Sequence, residues 1–173
     1  NQADCEVHGG VWTPLGTDPT LADTDGDGLL DGTDPAPLTR APKLHVAPGA
    51  VDGDGLSWAK AHNNLAVALA DAATRNGNAD PEDDIAEIWV AAGTYTLNSE
   101  QGLLSNLGLY GGFVGGEDKR DQRNADPFTN GTAIVGQAGQ DHGAFRATNV
   151  RNVVLDGFTM SDWATYSSGG ARG

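Results

Sequence analysis

Cysteine occurs once in the 173 residues, at Cys5. An internal disulfide is therefore excluded, and the thiol is expected to find its partner upstream of Asn1 or on another molecule. Basic residues are scarce. Ten Lys and Arg face 24 Asp and Glu, giving a formal net charge of −14 and a pI near 4.3. A surface that grips a phosphate backbone needs a basic stripe, so nucleic acid is excluded as a partner. No apolar run reaches the roughly 18 residues of a membrane-spanning helix, so no membrane span is expected. Methionine does not open the chain, and no basic or apolar leader follows Asn1-Gln2. Both ends are expected to be cut from a longer chain. Glutamate is rare as well, at 5 of the 24 acids, against 19 Asp and 25 Gly. Glu favours helices, whereas Asp favours turns, caps and hard-cation sites. That balance excludes an acidic helical bundle and points to a turn-rich β fold with calcium.

What is present falls into three stretches. Residues 1–17 are a lead segment whose apolar handles are Val11, Trp12 and Leu15. Residues 18–42 are Asp-rich and end in a linker. Residues 43–173 carry short apolar segments divided by Gly and Asn. The length allows one domain and a small appendage. Strands are expected at 44–46, 85–91, 94–97, 107–114 (broken by Gly111-Gly112), 132–135, 144–150 and 153–160. Within 85–91, Ile88 and Val90 should share one face and Trp89 take the other. One helix is expected, capped by Ser57, carrying Trp58, Ala61, Leu65, Ala68, Leu69 and Ala72 at helical spacing, and stopped at Arg75-Asn76-Gly77. A βαβ sheet would need a crossover helix between parallel neighbours. With one helix ahead of most strands, the options are a sandwich, a barrel or a parallel β-helix with corners at Asn149, Asn152 and Gly157.

The sharpest motif is DTDGDGLLDGTD at 23–34. Asp23, Asp25 and Asp27 occupy positions 1, 3 and 5, Gly28 the sharp turn at 6, the Leu29 carbonyl position 7, Asp31 position 9 and Asp34 position 12. This is the spacing of a 12-residue calcium loop, because calcium takes six to eight hard oxygens and alternate carboxylates converge from a curved backbone. Asp34 stands where an EF-hand has Glu, and Pro35 and Pro37 oppose an exit helix. The run TDPTLADTDGDGLLDGTDP, 17–35, resembles a thrombospondin type 3 repeat of bacterial surface proteins. The resemblance implies Asp23, Asp25, Asp27, Leu29, Asp31 and Asp34 as ligands of one Ca2+, with Asp18 on a second, shared ion. Asp52-Gly53-Asp54-Gly55 is a fainter echo, read as a tight turn. Asp80, Glu82, Asp83 and Asp84 read as a solvated loop. His8, His45, His62 and His142 lack metal spacing.

A second resemblance covers 43–163. LHVAPGAVDGDGLSWAKAHNNLAVALADA, AEIWVAAGTYTL, LGLYGGFVGGE and VVLDGFTM resemble secreted bacterial proteins of the pectin-lyase-like class. It implies an all-β, right-handed parallel β-helix with an N-terminal capping α-helix, preceded by the irregular calcium-binding loop segment and left open at its C-terminal rung. The expected role is that of a secreted or cell-surface structural, adhesive or matrix-binding rod. Its expected partners are an extracellular polysaccharide, a cell-envelope protein, or self-association through the open rung. Two alternatives stand beside it: a polysaccharide lyase or glycoside hydrolase with its site downstream, and a subunit of an extracellular filament. Asp141, Arg146, Arg151, Asp156 and Asp162 are the candidates for lyase or glycosidase chemistry, each more simply a turn or surface residue. Trp89, Trp163 and Tyr166 could stack on sugars or serve packing. Asn130-Gly131-Thr132 fits a glycosylation sequon.

Overall fold

The computed structural model describes residues 5–8, 11–14, 17, 19–22, 24, 32, 42–80, 83–136 and 143–161. Near the start, β1 (Cys5–His8) and β2 (Val11–Pro14) form an antiparallel ladder in which Cys5 faces Pro14 and Val7 faces Trp12. This hairpin was not expected from the sequence. Two four-residue runs separated by Gly9-Gly10 carry its signal, which the low apolar content of 1–17 masks.

The remaining strands are parallel. β3 (Lys43–Val46), β4 (Glu87–Ala91), β7 (Gly108–Phe113) and β10 (Val154–Asp156) form a four-stranded sheet in the order β10-β7-β4-β3. β5 (Gly93–Leu97), β8 (Thr132–Gly136) and β11 (Thr159–Ser161) form a second sheet in the order β11-β8-β5. β6 (Gln101–Gly102) pairs with β9 (Phe145–Arg146). Thus β4, β5 and β6 pair with β7, β8 and β9 in turn, and β7 and β8 pair with β10 and β11. The protein is β-rich, with parallel sheets and, among the described residues, one α-helix.

Register explains the core. Leu44, Ile88, Leu109 and Leu155 share one row, and the first three are fully buried. Val46 and Val90 continue the inner face, and Tyr95 and Ile134 line the second sheet. Alternation then sends His45, Trp89, Tyr110 and Asp156 to the other face as a second row. The expected strand at 107–114 is continuous rather than broken. Val90 faces Gly111 while Ala91 faces Phe113, so Gly112 is the extra residue of a bulge. Gly112 has φ +95°, and a Cβ there would lie 1.8 Å from the Asn124 carbonyl oxygen. The expected strand at 153–160 divides at Gly157 (φ +80°) into β10 and β11. The expected 144–150 strand shortens to β9, because Asn149 (φ 57°) and Asn152 (φ 53°) turn the chain.

The helix α1 spans Leu65–Arg75, seven residues later than Ser57 as N-cap would start it. Trp58–Lys60 is a separate 3-10 turn, and Ala61 leaves it in an extended conformation. The reason is tertiary. The His62 N–H donates to the His45 carbonyl (2.9 Å), and the Ala47 N–H donates to the His62 carbonyl (2.9 Å), so this segment closes the outer edge of β3 instead of coiling. Asn64 is the true N-cap, its side chain accepting from the Ala66 N–H at 2.8 Å. Leu65, Ala68, Leu69 and Ala72 are buried at the expected helical spacing. The helix ends through Asn76, whose side chain donates to the Ile85 carbonyl (2.9 Å) and accepts from the Ile85 N–H (2.6 Å). No left-handed glycine stop forms at Gly77.

Candidate functional site

Asp18, Asp23, Asp25, Asp27, Leu29, Asp31 and Asp34, the residues of the calcium motif, lie outside the described residues. Among the described residues, no group of three or more His, Cys, Asp or Glu is placed to hold a metal. The Asp52–Gly55 echo forms a braced loop. Asp54 accepts from the Leu56 N–H and from Lys60 Nζ, both at 3.1 Å. Asp52 meets His62 Nδ1 at 3.2 Å, and Asp71 of α1 meets His62 Nε2 at 3.2 Å. The loop is thereby fastened to the edge-closing segment and to the helix.

The richest polar constellation lies on the outer face of the four-stranded sheet. Its second row presents Tyr110 and Asp156, with Glu87 two residues before Trp89. The long connection after β7 brings a 3-10 turn at Arg120–Gln122 back over this face. Arg120 ion-pairs with Glu87 and donates to the Tyr110 hydroxyl at 3.1 Å. Arg123, only 8% exposed, ion-pairs with Asp156 and donates to the Gly111 carbonyl at 2.8 Å. Both guanidinium groups stand over the Tyr110 ring, at 4.6 and 5.3 Å from its centroid. Burial pushes the Tyr110 phenol up, against the pull of Arg120. Glu117 fixes the start of the connection by accepting from the Val114 N–H (2.6 Å) and the Gly115 N–H (2.9 Å). Trp58 Nε1 donates to the Glu117 carbonyl at 3.0 Å.

This arrangement can bind and brace. Acid–base chemistry needs a carboxyl free to meet the substrate proton, and here Glu87 and Asp156 are each engaged by an arginine. Of the sequence candidates, Asp156 falls in this cluster. Arg146 pairs instead with Glu100 at 3.0 Å. Arg151 is an exposed corner residue whose N–H donates to Ser105 Oγ at 3.2 Å. Asp141 and Asp162 lie outside the described residues, as do Trp163 and Tyr166. Trp89 is fully buried: Phe113 stacks on it at 4.6 Å, and Lys43 Nζ sits 4.2 Å from its ring centroid. It serves packing and offers no platform for a sugar. Asn130 is spent as well. Its amide donates to the Gly157 carbonyl (2.8 Å) and its side-chain oxygen accepts from the Thr132 N–H (2.8 Å), so the sequon has no free amide.

Glu87, Tyr110, Arg120 and Arg123 were not singled out as a site. A signal existed: a basic pair three residues apart in an acidic chain, after a strand whose outward position holds Tyr. Nothing in the sequence places that pair over β4 and β10, which are far away along the chain. Among the described residues, no helix is long and apolar enough to cross a membrane. No protein-family model, curated protein or solved structure matches the chain.

Proposed function

We propose that this chain is the calcium-stapled N-terminal part of a right-handed parallel β-helix, with a structural, adhesive or matrix-binding role outside the cell or on its surface. The observation that carries the reading is the ordered return of the strands. Each of β4, β5 and β6 meets, in parallel, the strand that follows it by one circuit. Corners align too. Asn106 (φ 60°) and Asn152 (φ 53°) both turn left-handed, and Asn152 Nδ2 donates to Asn106 Oδ1 at 3.0 Å across 46 residues. Stacked like residues at corners are what a repeating coil requires. In this reading α1 and the 53–62 segment cap the first circuit, since a bare sheet edge invites uncontrolled pairing.

Calcium enters through the spacing of Asp23, Asp25, Asp27, Leu29, Asp31 and Asp34, with Asp18 on a second ion. Extracellular calcium modules work at dissociation constants of about 10⁻⁴–10⁻³ M, which suits an acidic staple outside the cell. The test is calorimetric titration of the 173-residue chain with Ca2+, beside the Asp25→Ala/Asp27→Ala double variant. One or two ions bound by the parent and lost in the variant is the expected result. A parent chain that binds none sinks the staple and, with it, the extracellular assignment.

A further inference from the structure

β5 is the edge strand of its sheet, and among the described residues no strand lies on its other side. The N–H of Gly93 donates to the Gly131 carbonyl, toward β8. Alternate residues of a parallel strand turn their backbone groups to opposite sides. Thr94 and Thr96 therefore direct their N–H and C=O groups toward the open edge. The first turn of α1 stands beside that edge and encloses a cleft of about 300 Å³. It is lined by Asn63, Asn64, Leu65, Asn98 and the Thr94–Thr96 segment of β5. Leu65 and Tyr95 are themselves buried, the Tyr95 hydroxyl donating inward to the Ala91 carbonyl at 2.9 Å, so the accessible lining is mainly polar. The side chains of Asn63, Thr94, Thr96 and Asn98 are exposed and have no partner among the described residues.

We propose that this cleft binds a neutral sugar unit. Its volume lies at the lower end of the range for small-molecule sites, about 300–1,000 Å³. Amides and hydroxyls both donate and accept, which is the chemistry sugar hydroxyls present. No charged side chain lines the cleft, and a chain of net charge −14 repels anions at long range. A uronate is thus a poorer fit than a neutral hexose. An extended peptide would compete by pairing with the edge of β5, but Asn63, Asn64 and the helix start stand against that edge and leave room for a compact ligand. The inference names a contact for the matrix-binding role yet stands apart from the calcium reading, because none of its residues belongs to the Asp-rich stretch at 18–42.

The test is saturation-transfer NMR and titration of the 173-residue chain with methyl glycosides of glucose, galactose and mannose. Glucuronate and a Thr–Val hexapeptide are the competing probes. The expected result is binding of at least one neutral glycoside with a dissociation constant of about 1–10 mM, or roughly −4 to −3 kcal/mol. Replacing Thr94→Val, Thr96→Val and Asn98→Ala together should weaken it by about a hundredfold or more, and so abolish detectable binding, since each lost hydrogen bond is worth about 1 kcal/mol. Asn98→Ala alone, at an exposed position, should weaken it several-fold with an unchanged melting temperature. No transfer to any neutral glycoside, tighter binding of glucuronate or the hexapeptide, or undiminished binding by a folded variant would overturn the proposal. A calcium titration that fails while the glycoside binds removes the staple and the extracellular assignment but leaves the sugar site standing.

Discussion

Glu117 and His45 set the response of the fold to acid. Burial acts to raise the Glu117 carboxyl, but hydrogen bonds from the N–H groups of Val114, Gly115, Gly116 and Glu117 itself outweigh it and hold it below the ordinary 4.5. His45 is pulled below its ordinary 6.5 chiefly by burial, with Lys43 adding to the pull and a bond to the Gly55 carbonyl opposing it. Each group thus binds a proton less readily in the folded chain than in the unfolded one. Stability is complete above the unfolded value and is lost as pH falls from that value toward the folded one. Denaturant midpoints measured against pH should fall first below about 6.5, the unfolded histidine value, and again below about 4.5, near the unfolded glutamate value. His45→Gln should shrink the upper step and Glu117→Gln the lower, to which Asp54, held low by Lys60, also contributes. A Glu117→Gln chain with an unchanged lower step would show that its nest of N–H groups does not hold the loop.

At the scale of the element, β7 is decided by its glycines. Gly111 allows the Gly157 carbonyl to approach, where a Cβ would stand 2.3 Å from that oxygen, and Gly112 admits the Asn124 carbonyl into the bulge. The bulge turns Phe113 onto Trp89 and launches the connection that returns Arg120 and Arg123 to the sheet. Gly112→Ala should therefore cost more than about 3 kcal/mol, combining left-handed strain of about 1–3 kcal/mol with a direct backbone clash. Gly102→Ala is the control, because a Cβ there meets nothing within 4 Å. Urea denaturation distinguishes the two. Equal losses would mean that the bulge can relax without disturbing the sheet. α1 teaches a related lesson. The apolar spacing from Leu65 to Ala72 is legible without a structure, but its start is not. Trp58 and Ala61 fit the same spacing and yet are drawn away, Trp58 against the rings of His45 (4.6 Å) and Phe113 (5.5 Å) and Ala61 into the segment beside the β3 edge.

Across the whole molecule, order is closed at one end and open at the other among the described residues. The β3 edge is sealed by the 53–62 segment and α1. At the far edge the core rows run out: Leu155 extends the row of Leu44, Ile88 and Leu109 but is 38% exposed, and Met160 extends the row of Tyr95 and Ile134 but is 44% exposed. Stability should follow that gradient. Leu109→Ala should cost about 2–5 kcal/mol, the range for a buried leucine that leaves a cavity, and Leu155→Ala less than half as much. Amide exchange should reach β10 and β11 before β4 and β7. Equal costs for the two substitutions would mean that the last strands are covered as well as the first.

By itself the sequence determined most of the strands, the helix face from Leu65 to Ala72 and the alternate spacing of the acids at 23–34. These follow from local chemistry: alternation or a 3.6-residue period of apolar groups, glycine and asparagine where the chain must turn left-handed, and carboxylates at alternate positions. Only the tertiary structure decided where α1 begins, that Trp89 is buried, that Asn130 is consumed, and that Glu87, Tyr110, Arg120, Arg123 and Asp156 meet on one face. Each of those depends on residues from about 10 to 70 positions apart being brought to adjacent strands. The register between paired strands, and not any pattern within one strand, makes them neighbours.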